Sequence, residues 1–92
     1  MKYIVKNTSQ FKKDLKTAVK RGYDIEKLKT VVKMLADGQA LPKEYKDHEL
    51  KGKYTGFRDC HIEPDWILIY KYSDNLLILY LNRTGTHADL FY

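Results

Sequence analysis

The stretch of residues 56–70, GFRDCHIEPDWILIY, concentrates groups able to move protons and to hold a flat ring. His61 stands on one side of a Glu63-Pro64-Asp65 turn, and Asp65-Trp66 leads out of it. A hairpin shaped for stability alone turns more often on Asn-Gly or Asp-Gly, with its polar residues facing water. An imidazole, a carboxylate and an indole gathered around a proline turn suggest a site instead. Two further histidines, His48 and His87, fall at or near loops and strand ends, where function concentrates. Arg58 and Arg83 add cations, and Phe91 adds a second ring.

These groups suit the cleavage of RNA. The 2′-hydroxyl must lose a proton as it attacks phosphorus, the departing 5′-oxygen must gain one, and the crowded phosphorane needs positive charge. Histidine, with a reference pKa of ~6.5, serves as base or acid near neutrality. The planar fork of arginine holds two phosphate oxygens together. Trp66 and Phe91 could stack an unpaired base, worth ~1–3 kcal/mol each. Each residue also has a plainer reading: Trp66 as core, Arg83 as half of a surface ion pair, Asp65 as a turn former. Metal ligation is disfavoured, because Pro64 breaks the His61 to Asp65 spacing and no CxxC or HExxH occurs. No cofactor is expected.

The elements that must position these groups follow from pattern. Residues 2–6 alternate as a first strand. Thr8 or Ser9 can cap a helix that carries Phe11, Leu15, Ala18 and Val19 on one stripe and ends at Gly22. Asp24 caps a second helix, burying Ile25, Leu28, Val31, Val32 and Leu35 and stopping at Gly38. The very short link makes the pair antiparallel. After an irregular segment from Leu41-Pro42, strands are predicted at residues 57–62, 66–72 and 76–84. Turns at 63–65 and 73–75 force antiparallel neighbours. Gly85 ends the last strand, leaving Arg83 at its terminus and His87 in the following loop. The apolar runs at 67–69 and 76–79 want cover on both faces, or on one with a partner protein on the other. The expected fold is α+β, with an N-terminal strand and two antiparallel helices packed on a mainly antiparallel sheet.

The 92 residues fit a single domain, whose chain buries only ~60–65% of its unfolded surface. A hydrophobic content of 43% argues against disorder. No apolar run is long enough to span a bilayer, so no membrane role is expected. Cys60 is alone, which fits a reducing cytoplasm and a small buried hydrophobe. The net charge of +5 is uneven: residues 1–33 carry ten Lys/Arg against three Asp/Glu, and the remainder seven against nine. A basic half joined to a nearly neutral half bearing the histidines suggests a docking surface beside a chemical site.

The ordered set Tyr45-Lys46-Asp47-His48, Leu50-Lys51-Gly52, Arg58-Asp59, His61, Glu63-Pro64-Asp65-Trp66-Ile67-Leu68-Ile69-Tyr70 and Arg83-Thr84-Gly85-Thr86-His87 closely resembles the YafQ branch of the RelE/ParE toxin superfamily. It covers the second half of the chain densely, while the first half agrees in element order and basic helices. Tyr92 follows the matched pattern and is not part of it. The resemblance implies a RelE-like fold and a ribosome-dependent messenger-RNA endonuclease, the toxin of a type II toxin–antitoxin pair. It implies a catalytic group of His48, His61, Asp65 and His87, with Trp66, Arg83 and Phe91 contacting substrate. His87 is then expected as general acid and either His48 or His61 as base, with Asp65 orienting a histidine. Lys12, Lys13, Lys16 and Lys20 are expected to dock ribosomal RNA. The implied partners are ribosome, mRNA and a cognate antitoxin, the toxin being monomeric when free and in a higher-order complex when bound. The alternative is a ParE-like toxin that blocks a topoisomerase without RNA chemistry.

Overall fold

The computed structural model describes residues 2–91; Met1 and Tyr92 lie outside the described residues. Strand β1 (Ile4–Asn7) leads into helix α1 (Ser9–Lys20), and helix α2 (Ile25–Ala36) follows. A two-residue strand β2 (His48–Glu49), then β3 (Arg58–Glu63), β4 (Trp66–Ser73) and β5 (Ile78–Gly85), precede a short helix α3 (His87–Phe91). One-turn 3-10 segments occupy Lys43–Tyr45 and Gly52–Tyr54. The sheet order is β1-β5-β4-β3-β2. Every pair is antiparallel except β1 with β5, which is parallel.

The helix ends are written in the sequence. Thr8 accepts from the Phe11 N–H and Asp24 from the Glu26 N–H, each meeting an otherwise unpaired donor of its first turn. Gly22 and Gly38 take φ of 78° and 75°, and the paired bonds Gly22 to Val19 and Tyr23 to Ala18 close α1 as a Schellman turn. Phe11 and Ala18 of α1 and Leu28, Val31 and Leu35 of α2 pack with Cys60, Ile62, Leu68, Tyr70, Leu79 and Leu81 on one face of the sheet. Val19 leaves the predicted stripe and is 58% exposed, being a full helical step from Ala18.

The opposite face is covered as well. Ile67 and Ile69 pack with Tyr54 and Leu90, flanked by Leu50, Phe57 and Phe91. The unbroken burial of Trp66 through Tyr70 thus has an intramolecular cause: helices lie on one face, and α3 with the 50–57 segment on the other. Two expectations need correction. Leu76 and Leu77 are not strand residues. They lie in the turn at residues 74–77, exposed at 63% and 47%, because β5 pairs with β1 only from Ile78 onward. His87 begins a helix and does not lie in a loop. The Thr86 hydroxyl accepts from the Asp89 N–H while Asp89 Oδ2 accepts from the Thr86 N–H, a reciprocal cap that starts α3.

β1 stops opposite Leu81, so the rest of β5 has no strand on that side. Side chains of the α1 region take its place. Thr8 donates to the Asn82 carbonyl, and Asp14 accepts from the Thr84 N–H and from the Arg83 guanidinium. Among the described residues no helix is long and apolar enough to cross a membrane.

Candidate active site

Strand alternation puts Asp59 and His61 on the face of β3 opposite to Cys60 and Ile62. The β3-β4 turn is two residues long and sends Asp65 toward the start of α3. There one Asp65 oxygen accepts from the His87 backbone N–H at 2.9 Å and faces His87 Nδ1 at 2.5 Å. A carboxylate only accepts, so His87 carries its proton on Nδ1 and Nε2 is the atom left to exchange with a substrate. The backbone N–H of His87, and then its ring, hold the Asp65 carboxyl below the usual range. The ring of His61 stands edge-on to His87, with centroids 5.3 Å apart. Both histidines line an open cleft of about 620 Å³, with Lys27, Tyr45, Lys46 and Pro64 along its other wall.

His48 enters from the neighbouring strand, directly opposite Asp59 in register. Lys46 adopts a left-handed φ of 50° that ends the preceding 3-10 turn. Its carbonyl meets His48 Nδ1 at 2.8 Å. A carbonyl also only accepts, so the neutral His48 ring bears its hydrogen on Nδ1 and has a bare Nε2. Asp59 Oδ1 lies 3.1 Å from the same Nδ1. The structure therefore pairs Asp65 with His87, places His61 beside them, and attaches His48 through Asp59. His48, His61 and His87 all act electrostatically on Asp59.

Asp59 was not singled out from sequence. It is 2% exposed, and burial pushes its carboxyl upward while the three imidazoles pull it down. The available signal was its position two residues before His61 on an alternating strand, which puts both on one face.

The other candidates are placed differently. Trp66 offers no open stacking face: it is 2% exposed, packs against Tyr23 at 4.9 Å, and donates through Nε1 to the Thr84 hydroxyl. That hydroxyl donates on to the Ile67 carbonyl, so the indole is locked between β4 and β5. Arg83 is held by Asp14 at 3.0 Å through two nitrogens and lines a separate depression of about 260 Å³ with Arg21, Gly85 and Asp89. Phe91 is half-buried, edge-on to Tyr54 at 5.7 Å and 6.2 Å from the His87 ring. Lys12, Lys13, Lys16 and Lys20 are all exposed on α1. Cys60 is fully buried, and burial pushes its thiol far above the ordinary range, which leaves no nucleophilic thiolate. Arg58, the other cation, is occupied by Asp47 and Glu49.

A mixed sheet with two helices on one face, and a cleft holding His61 and His87 between α2, the end of β3 and the start of α3, defines a small α+β domain equipped for general acid–base chemistry. The chain belongs to the YafQ family, described as bacterial toxins of type II toxin–antitoxin systems, whose sequence profile matches residues 3–92. It is 50% identical over 88 residues to the mRNA interferase toxin YafQ of Escherichia coli K12, covering 95% of this chain and 94% of that one. Its fold superposes on a chain of the Escherichia coli DinJ-YafQ complex with a TM-score of 0.89, at 47% identity over 98% and 99% of the two chains. It superposes equally well on a metal-bound toxin from Helicobacter pylori, with a TM-score of 0.91 at 43% identity over 97% and 99%. Among the described residues no group of three or more His, Cys, Asp or Glu side chains is arranged to hold a metal ion.

Proposed function

We propose that this chain is an mRNA interferase, the toxin of a type II toxin–antitoxin pair, which cleaves messenger RNA on the ribosome by general acid–base transesterification. The observation that carries this reading is the junction of the Asp65 and His87 pair with His61 at 5.3 Å in one open cleft. A base, His48 or His61, takes the proton of the 2′-hydroxyl as O2′ bonds to phosphorus. The bond from phosphorus to O5′ breaks, and His87 returns a proton to O5′, leaving a 2′,3′-cyclic phosphate and a 5′-hydroxyl. Asp65 stabilises the protonated His87 ring that the acid role requires. The bare Nε2 of His48 favours it as base.

Phe91, at the rim beside His87, is the ring on which a base would stack. Trp66 serves substrate binding from behind, by fixing the β4 start next to Asp65. Arg83 reaches phosphate only if the polyanion displaces Asp14. The exposed lysines of α1 suit docking on ribosomal RNA, whose phosphates reward clustered cations. The toxin works in the cytoplasm, free as a monomer, and is neutralised by a cognate antitoxin in a larger complex. Mapping mRNA 5′ ends after brief induction, with and without translation, tests the reading. New ends confined to translated messages are expected, and an unchanged end profile during growth arrest overturns it.

A further inference from the structure

Asp59 has no part in the mechanism above, yet nothing in its surroundings explains it as a structural residue. It is 2% exposed, and its Oδ1 has no well-aligned hydrogen-bond donor although it lies 3.1 Å from His48 Nδ1. A buried, under-satisfied carboxylate costs stability and is seldom kept without a use. The groups facing it are His48 from β2, His61 from its own strand, His87 from α3 and, as a like charge, Asp47. Asp47 is itself taken up by Arg58 and Tyr70. Among the described residues Asp59 is thus the one buried carboxylate, and it lies among three imidazoles.

We propose that Asp59 is a positioning residue for His48: with the Lys46 carbonyl holding the Nδ1 hydrogen, Asp59, 3.1 Å from the same Nδ1, leaves Nε2 free as the base and supplies the negative charge that stabilises the ring once it takes the 2′-hydroxyl proton. A carbonyl alone fixes the tautomer but carries no full charge to favour the protonated ring, which is what a neighbouring carboxylate adds. The arrangement repeats on β2 and β3 what Asp65 does for His87. Each side of the scissile phosphate then has one imidazole backed by one carboxylate, the acid's partner exposed and the base's partner buried.

The inference rests on the nuclease reading and is separable from it. The decisive variant is Asp59→Asn, which keeps size and removes charge. In single-turnover cleavage of ribosome-bound mRNA from about pH 5.5 to 9, its acid limb should move to lower pH, and its plateau rate should fall on the order of tenfold to a hundredfold. Its thermal midpoint at pH 7 should equal or exceed that of the wild type. A pH profile of unchanged shape overturns the proposal, as does a rate loss explained entirely by lower stability. Ring ¹⁵N shifts of His48 in the wild-type toxin need neither the variant nor a substrate. A hydrogen on Nδ1 in the neutral ring is expected, and a dominant Nε2–H form overturns the assignment even if Asp59→Asn fails to fold. Absence of cleavage by the wild type would defeat the nuclease reading and leave the tautomer measurement to decide the role of Asp59.

Discussion

The roles of single residues here follow from what each neighbour can accept or donate. His48 and His87 are both fixed through Nδ1 by groups that only accept, a carbonyl and a carboxylate. Replacing His87 by alanine removes the proposed acid from a half-exposed position, so the fold should persist while single-turnover cleavage falls ~10²–10⁴-fold. Undiminished cleavage by a folded His87→Ala protein would remove that assignment. A proline turn and strand ends singled out Asp65, His61 and His87 in the sequence, and the fold brings the three together. For Trp66 the core reading was open alongside the stacking one, and its neighbours Tyr23 and Thr84, which reach it only in the folded chain, decide its burial. For Arg83 the ion-pair reading was open from sequence but its partner was not, because Asp14 is distant in sequence and adjacent in space. Asp59 stayed hidden because alternation shows which face a residue takes, not which of that face's carboxylates will lack a donor.

Among the elements, α3 and the two-residue strand β2 were hidden in the sequence. A five-residue helix is too short for periodicity to declare itself, although Thr86 and Asp89 stand at capping-box spacing. Its anchoring determines where His87 sits. Asp89 binds Arg21 at the end of α1, at 2.6 Å, and Gly85 is needed beneath it because a Cβ there would lie 2.8 Å from Asp89 Oδ2. Arg21 and the Thr86 N–H hold the Asp89 carboxyl well below the usual range. The unfolded carboxylate titrates near ~3.9, so the contribution of the pair is complete above that pH and is lost as pH falls toward the lower folded value. Thermal melts should therefore show the wild type losing more stability than Asp89→Asn below about pH 4. Parallel acid slopes for the two proteins would show that this latch adds nothing. Helices α1 and α2 and strands β3, β4 and β5, by contrast, were readable almost to their ends, because caps and turn residues mark them. The parallel seat of β1 was not, since local pattern carries no information about which edge a first strand joins.

At the scale of the whole molecule, the sheet separates two tasks. One face is closed by α1 and α2, whose outer surface carries the exposed lysines, and the acid–base cleft opens at the sheet's edge, between α2, the end of β3 and the start of α3. The imbalance of charge between the first 33 residues and the rest already indicated such a division. What the chain alone could not show is that β2, β3 and α3 deliver three histidines from separate stretches to one buried carboxylate. The central claim is that these groups act together on a single phosphodiester, one taking the 2′-hydroxyl proton and one releasing the 5′-oxygen. The most direct measurement is the end chemistry of mRNA cut by the purified toxin on programmed ribosomes. The account predicts 5′-hydroxyl ends matched by 2′,3′-cyclic or 3′-phosphate ends; 5′-phosphate ends matched by free 3′-hydroxyls would contradict it.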